Sequence, residues 1–149
     1  LINQCPPLEP NTTYAYLLFC THFADTCILA RDDEGVVGAI VGYRPPSHPE
    51  ALFVWQIAVH ERARGMGLAR RMLEALVERA TADDVTHLEA TVSPDNGASN
   101  GLFTRFAESN QLTCTLSPYF EATLFGSGDH EPEHLYRIGP ITNKRKEDQ

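Results

Sequence analysis

The residues best suited to chemistry lie between 52 and 69, where Leu-Phe-Val-Trp-Gln-Ile-Ala-Val runs into His-Glu-Arg-Ala-Arg-Gly-Met-Gly-Leu-Ala. An apolar strand leads into an arginine- and glycine-bearing turn that opens a helix. Gly65 and Gly67 let backbone N–H groups approach an anion without an intervening Cβ, and the unpaired N–H groups of a helix's first turn add a favourable field. The chemistry implied is pyrophosphate binding. Charge points the same way: the formal net charge is -8, yet five of the 12 basic residues, Arg62, Arg64, Arg70, Arg71 and Arg79, fall on this turn and helix. Two other phosphate loops are excluded. A Walker loop needs Gly-Lys-Ser/Thr, and the lysines are Lys144 and Lys146; a dinucleotide fingerprint needs glycine or alanine where this chain has Arg70.

A second constellation is His130-Glu131-Pro132-Glu133-His134, a literal His-Glu-x-x-His string. It makes a zinc site only on a helix, where residues four apart share a face. Pro132 in its middle and Gly126-Ser127-Gly128-Asp129 ahead of it argue against a helix, so no metal is expected and a zinc hydrolase is the distant alternative. Cys5, Cys20, Cys27 and Cys114 show no close-pair metal spacing and are too sparse for a disulfide framework. Buried, reduced thiols are expected, and none pairs readably with a base for covalent catalysis.

The elements that must position these residues follow from periodicity. A chain of 149 residues, 42% hydrophobic, suits one core. A single domain is expected over 1–142, with a disordered polar tail over 143–149. Tyr14, Leu17, Leu18 and Thr21 repeat at helical spacing behind Asn11 or Thr12 as N-cap. Strands are expected over 26–30 and 36–43, joined by a turn at 31–35, then over 51–59 after the proline-rich loop 44–49. An amphipathic helix over 65–82 carries Leu68, Met72, Leu73, Leu76, Val77 and Ala80 on one stripe. A strand at 88–92, a helix bearing Ala98, Leu102, Phe103, Phe106 and Ala107, and weaker strands at 112–116 and 135–138 complete an α/β order with a partly parallel sheet. The acidic balance argues against a nucleic-acid or anionic-membrane partner. No apolar run approaches membrane-spanning length, and the opening residues lack a signal-peptide pattern, so a cytoplasmic protein acting on small molecules is expected.

The Arg62-x-x-Gly65-x-Gly67-Leu68-Ala69 turn behind a central strand, followed by Asn96-x-x-Ser99-x-x-Leu102-Phe103 at the start of the next helix, resembles the acetyl-CoA-binding core of the GNAT acetyltransferases. The resemblance implies an α/β (α+β) GNAT fold: a mixed central sheet with two splayed parallel strands, flanking helices, and an N-terminal strand missing ahead of Leu1. It implies acetyl-CoA as co-substrate, with Ile57, Ala58 and Val59 along the pantetheine and Arg64, Gly65, Met66, Gly67, Leu68 and Ala69 on the pyrophosphate. Asn96 and Ser99 would meet it from the far side, although Asn96 serves equally as a helix cap. Many relatives carry a tyrosine general acid where this chain has Phe103.

A narrower resemblance runs from Pro7 to Pro140 and thins between Ala107 and Phe120. Asn11-Thr12-Thr13-Tyr14, Tyr43-Arg44-Pro45-Pro46, Leu52-Phe53-Val54-Trp55-Gln56 and Leu135-Tyr136-Arg137-Ile138-Gly139-Pro140 are similar to the diaminobutyrate acetyltransferases of ectoine synthesis. That resemblance implies transfer to the side-chain amine of L-2,4-diaminobutyrate and a homodimer. Glu9, Asn11, Tyr14, Trp55, His130 and Glu133 would form the substrate end. Glu9 stands where aspartate is usual, and Pro132 interrupts an acidic run. An alkyl ammonium with a reference pKa of about 10.4 must lose a proton before attack, and Glu133 or His130 is the base expected. Another small diamine or amino acid as acceptor, and a fold kept only to sense CoA, are the competing readings.

Overall fold

A computed structural model describes residues 1–6, 8–126 and 128–142; Pro7, Ser127 and the tail from Asn143 lie outside the described residues. The first helix, α1, spans Thr13–His22, and the Thr12 hydroxyl caps it by accepting the Ala15 N–H. Strand β1 (Ile28–Asp32) starts two residues later than the sequence suggests, because Thr26 is held in a short turn with its hydroxyl donating to the carbonyls of Phe23 and Gly42. It also runs on to Asp32, whose carboxylate accepts the Glu34 N–H and closes a tight turn into β2 (Gly35–Tyr43). Then come β3 (Ala51–Val59), α2 (Leu68–Ala82), β4 (His87–Val92), α3 (Gly97–Ser109), β5 (Cys114–Phe120) and β6 (Glu133–Ile138).

The six strands lie in the order β1-β2-β3-β4-β6-β5. Only β3 and β4 are parallel, as a strand-helix-strand unit requires; the other neighbours are antiparallel. The stripe of α2 buries Met72, Leu73, Leu76, Val77 and Ala80, while α3 adds Phe103, Phe106 and Ala107. Both helices share one core with Leu52, Val54, Leu88, Ala90, Tyr136 and Ile138. Each fully buried leucine there contributes roughly 1.5–3 kcal/mol. Strand β5 is longer than the expected 112–116, since Pro118 is tolerated on an edge strand and coincides with a register shift. All four cysteines are free, but only Cys5 is buried; Cys20 and Cys114 are exposed, contrary to the expectation of buried thiols. Among the described residues no helix is long and apolar enough to cross a membrane.

The feature that shapes the site sits in β3. Val41 pairs with Gln56 but Gly42 pairs with Val54, so Trp55 is an extra residue, a β-bulge. Side-chain phase inverts across it. Leu52 and Val54 before the bulge and Ile57 and Val59 after it all join the helix-side core. Trp55 and Gln56 instead both reach α1, Trp55 by stacking on Phe19 at 5.0 Å and Gln56 by accepting the Tyr16 hydroxyl at 3.0 Å. Pairing of β3 with β4 ends at the same point, its last pair being Val54 with Ala90.

Gly42 lies opposite the bulge, where a Cβ would stand 2.7 Å from the Phe53 carbonyl oxygen and 3.1 Å from that of Thr26. Backbone cannot yield as a flexible side chain would. The Gly42→Ala variant is expected to lose about 1–3 kcal/mol of stability through overpacking. Urea unfolding measures it, and a loss within experimental error would show that close approach at the bulge is not a constraint.

Candidate functional site

The turn between β3 and α2 is built to leave backbone donors unoccupied. Gly65 and Gly67 have φ values of 74° and 69°, a left-handed backbone that costs a residue with a Cβ about 1–2 kcal/mol. A Cβ on either would meet nothing within 4 Å, so conformation, not crowding within the chain, demands glycine there. Gly67 caps α2 without any side-chain bond, and the first turn, Leu68 and Ala69 included, carries no acidic residue. Its N–H groups and the helix dipole therefore favour an anion. Arg64 crosses the end of β3 and donates from Nε to the Val59 carbonyl at 3.1 Å, and Met66 is exposed beside it.

Other basic residues of this segment prove to be structural. Arg62 donates to both carboxylate oxygens of Asp32 at 3.0 and 2.9 Å, tying the turn to the β1–β2 hairpin, and that hydrogen bond holds the Asp32 carboxyl below its usual range. Arg70 pairs with Glu74, and Arg79 donates to the Cys27 carbonyl.

Beyond Val54 and Ala90 the two parallel strands part. The His60 N–H donates to the Val37 carbonyl, and Ala58 pairs with Ala39, so alternation directs the N–H groups of Ala58 and His60 at β2. Those of Ile57 and Val59 face the opening. Of the three predicted residues, two thus present donors there and Ala58 fills the sheet. On the opposite side Asn96 caps α3, its Oδ1 accepting the Ser99 N–H at 3.1 Å. Its Nδ2 has no partner among the described residues. Asn100, overlooked in the sequence, closes the β4–α3 loop by donating to the Ser93 and Pro94 carbonyls and accepting the Tyr136 hydroxyl. Phe103 is buried against Tyr136, ring centroids 5.7 Å apart.

A cavity of about 570 Å³ opens on the other face of the sheet, lined by Trp55, Glu133, Tyr43, Phe120 and Phe125 and by the proline-rich loop. His130 adjoins it: its ring stacks on Phe125 at 3.7 Å and its Nε2 lies 3.9 Å from Glu133 Oε1. Nδ1 bonds the Glu131 carbonyl at 2.6 Å, which requires the proton on Nδ1 and leaves a lone pair on Nε2 of the neutral ring. Residues 129–132 are irregular and Glu133 and His134 begin β6, so the His-Glu-x-x-His string is extended, not helical. Among the described residues no three His, Cys, Asp or Glu side chains gather as a metal set.

Glu9, Asn11 and Tyr14 do not line the cavity. The first two are held beside β3 by Gln56, whose Nε2 donates to the Glu9 carbonyl and whose partner Tyr16 accepts the Asn11 N–H. Tyr14, on α1, is 69% exposed. Behind the cavity the sequence hid a charged cluster. Glu89, 3% exposed, meets Arg137 through one oxygen and His48 Nε2, at 3.0 Å, through the other, and Arg137 also holds Glu50 at 3.1 Å. The Glu50 carboxyl is held below its usual range by its own backbone N–H and then by Arg137. Burial, with Tyr119 and Glu89 nearby, pushes the Tyr43 hydroxyl up.

The chain matches the Acetyltransferase (GNAT) family over residues 1–107. It is 50% identical to an L-2,4-diaminobutyric acid acetyltransferase of Chromohalobacter salexigens over 95% of this chain and 73% of that protein. It is 48% identical to the Halomonas elongata protein of the same name, over the same shares. Its fold superposes with a TM-score of 0.88 on the diaminobutyrate acetyltransferase EctA from Paenibacillus lautus in complex with its substrate L-2,4-diaminobutyric acid and coenzyme A, at 40% identity over 94% of this chain and 85% of that one. A TM-score of 0.70 at 20% identity to a chain of the NatC complex bound to Gag peptide and CoA speaks for the fold alone. An anion turn, a parted parallel pair and these likenesses over nearly the whole sequence agree: the chain belongs to the GNAT acetyltransferase family.

Proposed function

We propose that this chain moves the acetyl group of acetyl-CoA to the side-chain amine of L-2,4-diaminobutyrate, the acetylation step of ectoine synthesis, within one acetyltransferase domain over 1–142. The observation that carries this reading is the strand opening after Val54, which lies along β3 between the anion turn that follows the strand and Trp55, a wall of the acid-bearing cavity. In this reading the N–H groups from Gly65 to Ala69, with Arg64, hold the pyrophosphate. Ile57 and Val59 donate to the thioester carbonyl and to the oxyanion that forms on attack. Asn96 Nδ2 and Ser99 face the co-substrate from α3.

On the acceptor side Glu133 and His130 Nε2 offer two sites for the ammonium proton, and Trp55 walls the amine against the opening. Glu9, Asn11 and Tyr14, carried beside β3 by Gln56 and α1, lie outside the cavity lining and have no contact with the amine in this reading. The freed amine attacks the thioester carbon, the C–S bond breaks, and the thiol leaves protonated. No acyl-enzyme intervenes: burial pushes the Cys27 thiol up, away from the thiolate, and among the described residues none of the four cysteines bonds a base.

NMR identification of the product with each diamine as sole acceptor tests the substrate, and acetylation of the α-amine or preference for a polyamine would reject it. The Glu133→Gln variant should lose about 10²–10⁴-fold in kcat with CoA affinity unchanged, and wild-type activity should rise with pH as the amine deprotonates. Gly67→Glu places both a Cβ and a like charge at the anion turn. Calorimetry should show CoA affinity falling at least about a hundredfold (roughly 2.7 kcal/mol) while the domain stays folded; unaltered affinity would remove the turn from the binding site.

We further read the exposed edge strand β5 as the seam of a homodimer in the cytoplasm, where four unpaired cysteines are at home. All seven of its residues are exposed, Leu116 and Tyr119 by 53% and 46%, and a bare apolar edge pairs readily with its twin. Sedimentation should find a dimer that Leu116→Lys converts to monomer; a monomeric wild type would refute it.

A further inference from the structure

We propose that His48 is a positioning residue that sets acceptor selectivity, by fixing the proline-rich loop as a rigid wall of the cleft through its bond to buried Glu89. The inference rests on the reading of the 570 Å³ cavity as the amine-acceptor site.

Residues 44–50 connect β2 to β3 and supply Pro45, Pro46, Ser47 and His48 to the cavity wall. Hydrogen bonds to backbone carbonyls secure both ends of the loop. Arg44 donates from Nε to the Pro49 carbonyl at 2.7 Å and from Nη1 to the Asp83 carbonyl at 3.0 Å. The Glu50 carbonyl accepts the N–H groups of Thr86 and His87. Between those ends, the side-chain tie from the wall to the floor of the sheet is His48 Nε2–H donating to Glu89 Oε2 at 3.0 Å. The ring is oriented from its other edge by the Ser47 hydroxyl, 2.8 Å from Nδ1.

Glu89 cannot follow the loop if it shifts. It sits mid-strand in β4, 3% exposed, with Arg137 on its other oxygen. His48, with a third of its side chain exposed, is the adaptable partner. Truncating it leaves a buried carboxylate oxygen without a donor and removes the side-chain tie, so that the middle of the wall rests only on the bonds of the His48 N–H to the Pro45 carbonyl and of the Ala51 N–H to the His48 carbonyl. Leaving such a group unsatisfied is unfavourable, so the wall moves and the cleft widens. A wider cleft admits longer amines, because rejection of one extra methylene depends on a close wall. Glutamine at 48 keeps an N–H donor to Glu89 Oε2 and holds the wall without an imidazole.

The test compares wild type, His48→Ala and His48→Gln with L-2,4-diaminobutyrate and its one-carbon homologue ornithine, alongside CoA affinity and Tm. For the alanine variant the ratio of kcat/KM between the two acceptors should fall about tenfold, through a higher KM for diaminobutyrate with kcat within about twofold of wild type. The glutamine variant should keep the ratio within about twofold of wild type. An unchanged ratio in the alanine variant overturns the proposal. So does equal loss in both variants, which would make the ring itself a substrate contact, and so does a joint fall of kcat, CoA affinity and Tm, which would make the tie merely structural. A Glu133→Gln protein with unaltered amine KM and kcat would instead strike at the cleft assignment on which the proposal stands.

Discussion

One extra residue in one strand governs the site. A regular β3 would pair with β4 along its length and leave no backbone donor for a ligand, since a continuous parallel ladder satisfies every N–H it contains. Trp55 interrupts that ladder. The interruption ends the pairing, sends the N–H groups of Ile57 and Val59 into an opening, and inverts the side-chain phase so that Trp55 and Gln56 both reach α1. The helix-side core is untouched, because residues 57 and 59 resume the contacts that 52 and 54 leave off. An unpaired region is thus obtained without a cavity in the core, and Gly42 supplies the room that the bulge needs.

Charge is distributed with the same economy. The chain is acidic overall, yet its anion turn carries glycines, free N–H groups and Arg64 with no carboxylate in the first turn of α2. Across the sheet the arrangement reverses. Glu89 is neutralised by Arg137 and bonded by His48, so it forms part of the cavity's frame, while Glu133 at the start of β6 keeps its carboxylate toward the cleft. Two acids on neighbouring strands acquire different parts because one has an arginine at hydrogen-bonding distance and the other has only an imidazole at 3.9 Å.

What was legible in the sequence follows from how local its cause was. The anion turn is written in consecutive residues, and the 51–59 strand and the α2 stripe in simple periods, so each reads directly. The bulge is not local: strict alternation would put Trp55 and Ile57 on one face, and only Gly42 in another strand hints otherwise. The Glu89 cluster joins residues up to 87 positions apart, from Glu50 to Arg137, and no spacing rule connects them. Arg62 adds to the basic excess of the turn in the sequence, and its neutralisation by Asp32 is not legible there because that partner lies thirty residues upstream in a hairpin. Strand β5 runs through Pro118 to Phe120 because it lies at the edge of the sheet, where a missing donor matters little, and edge position is not a local property of the sequence.

Phe103 is the sharpest departure from the family pattern, and proton accounting shows why the reaction tolerates it. An alkylammonium acceptor carries two protons that the amide product does not keep. The first must leave before attack, and in the proposed reaction Glu133 or His130 takes it. The second becomes acidic once nitrogen has bonded to the acyl carbon, at the moment when the C–S bond breaks and sulfur needs a proton. Nitrogen and sulfur are then attached to the same carbon, so the proton has a short path, directly or through one water, and no side-chain donor is required for balance. The position can therefore serve packing alone. Phe103 does so, fully enclosed beside Tyr136, whose hydroxyl is already committed to Asn100 and the loop that carries Asn96. A hydroxyl at 103 would have to find its own partner in that apolar contact or be left unsatisfied.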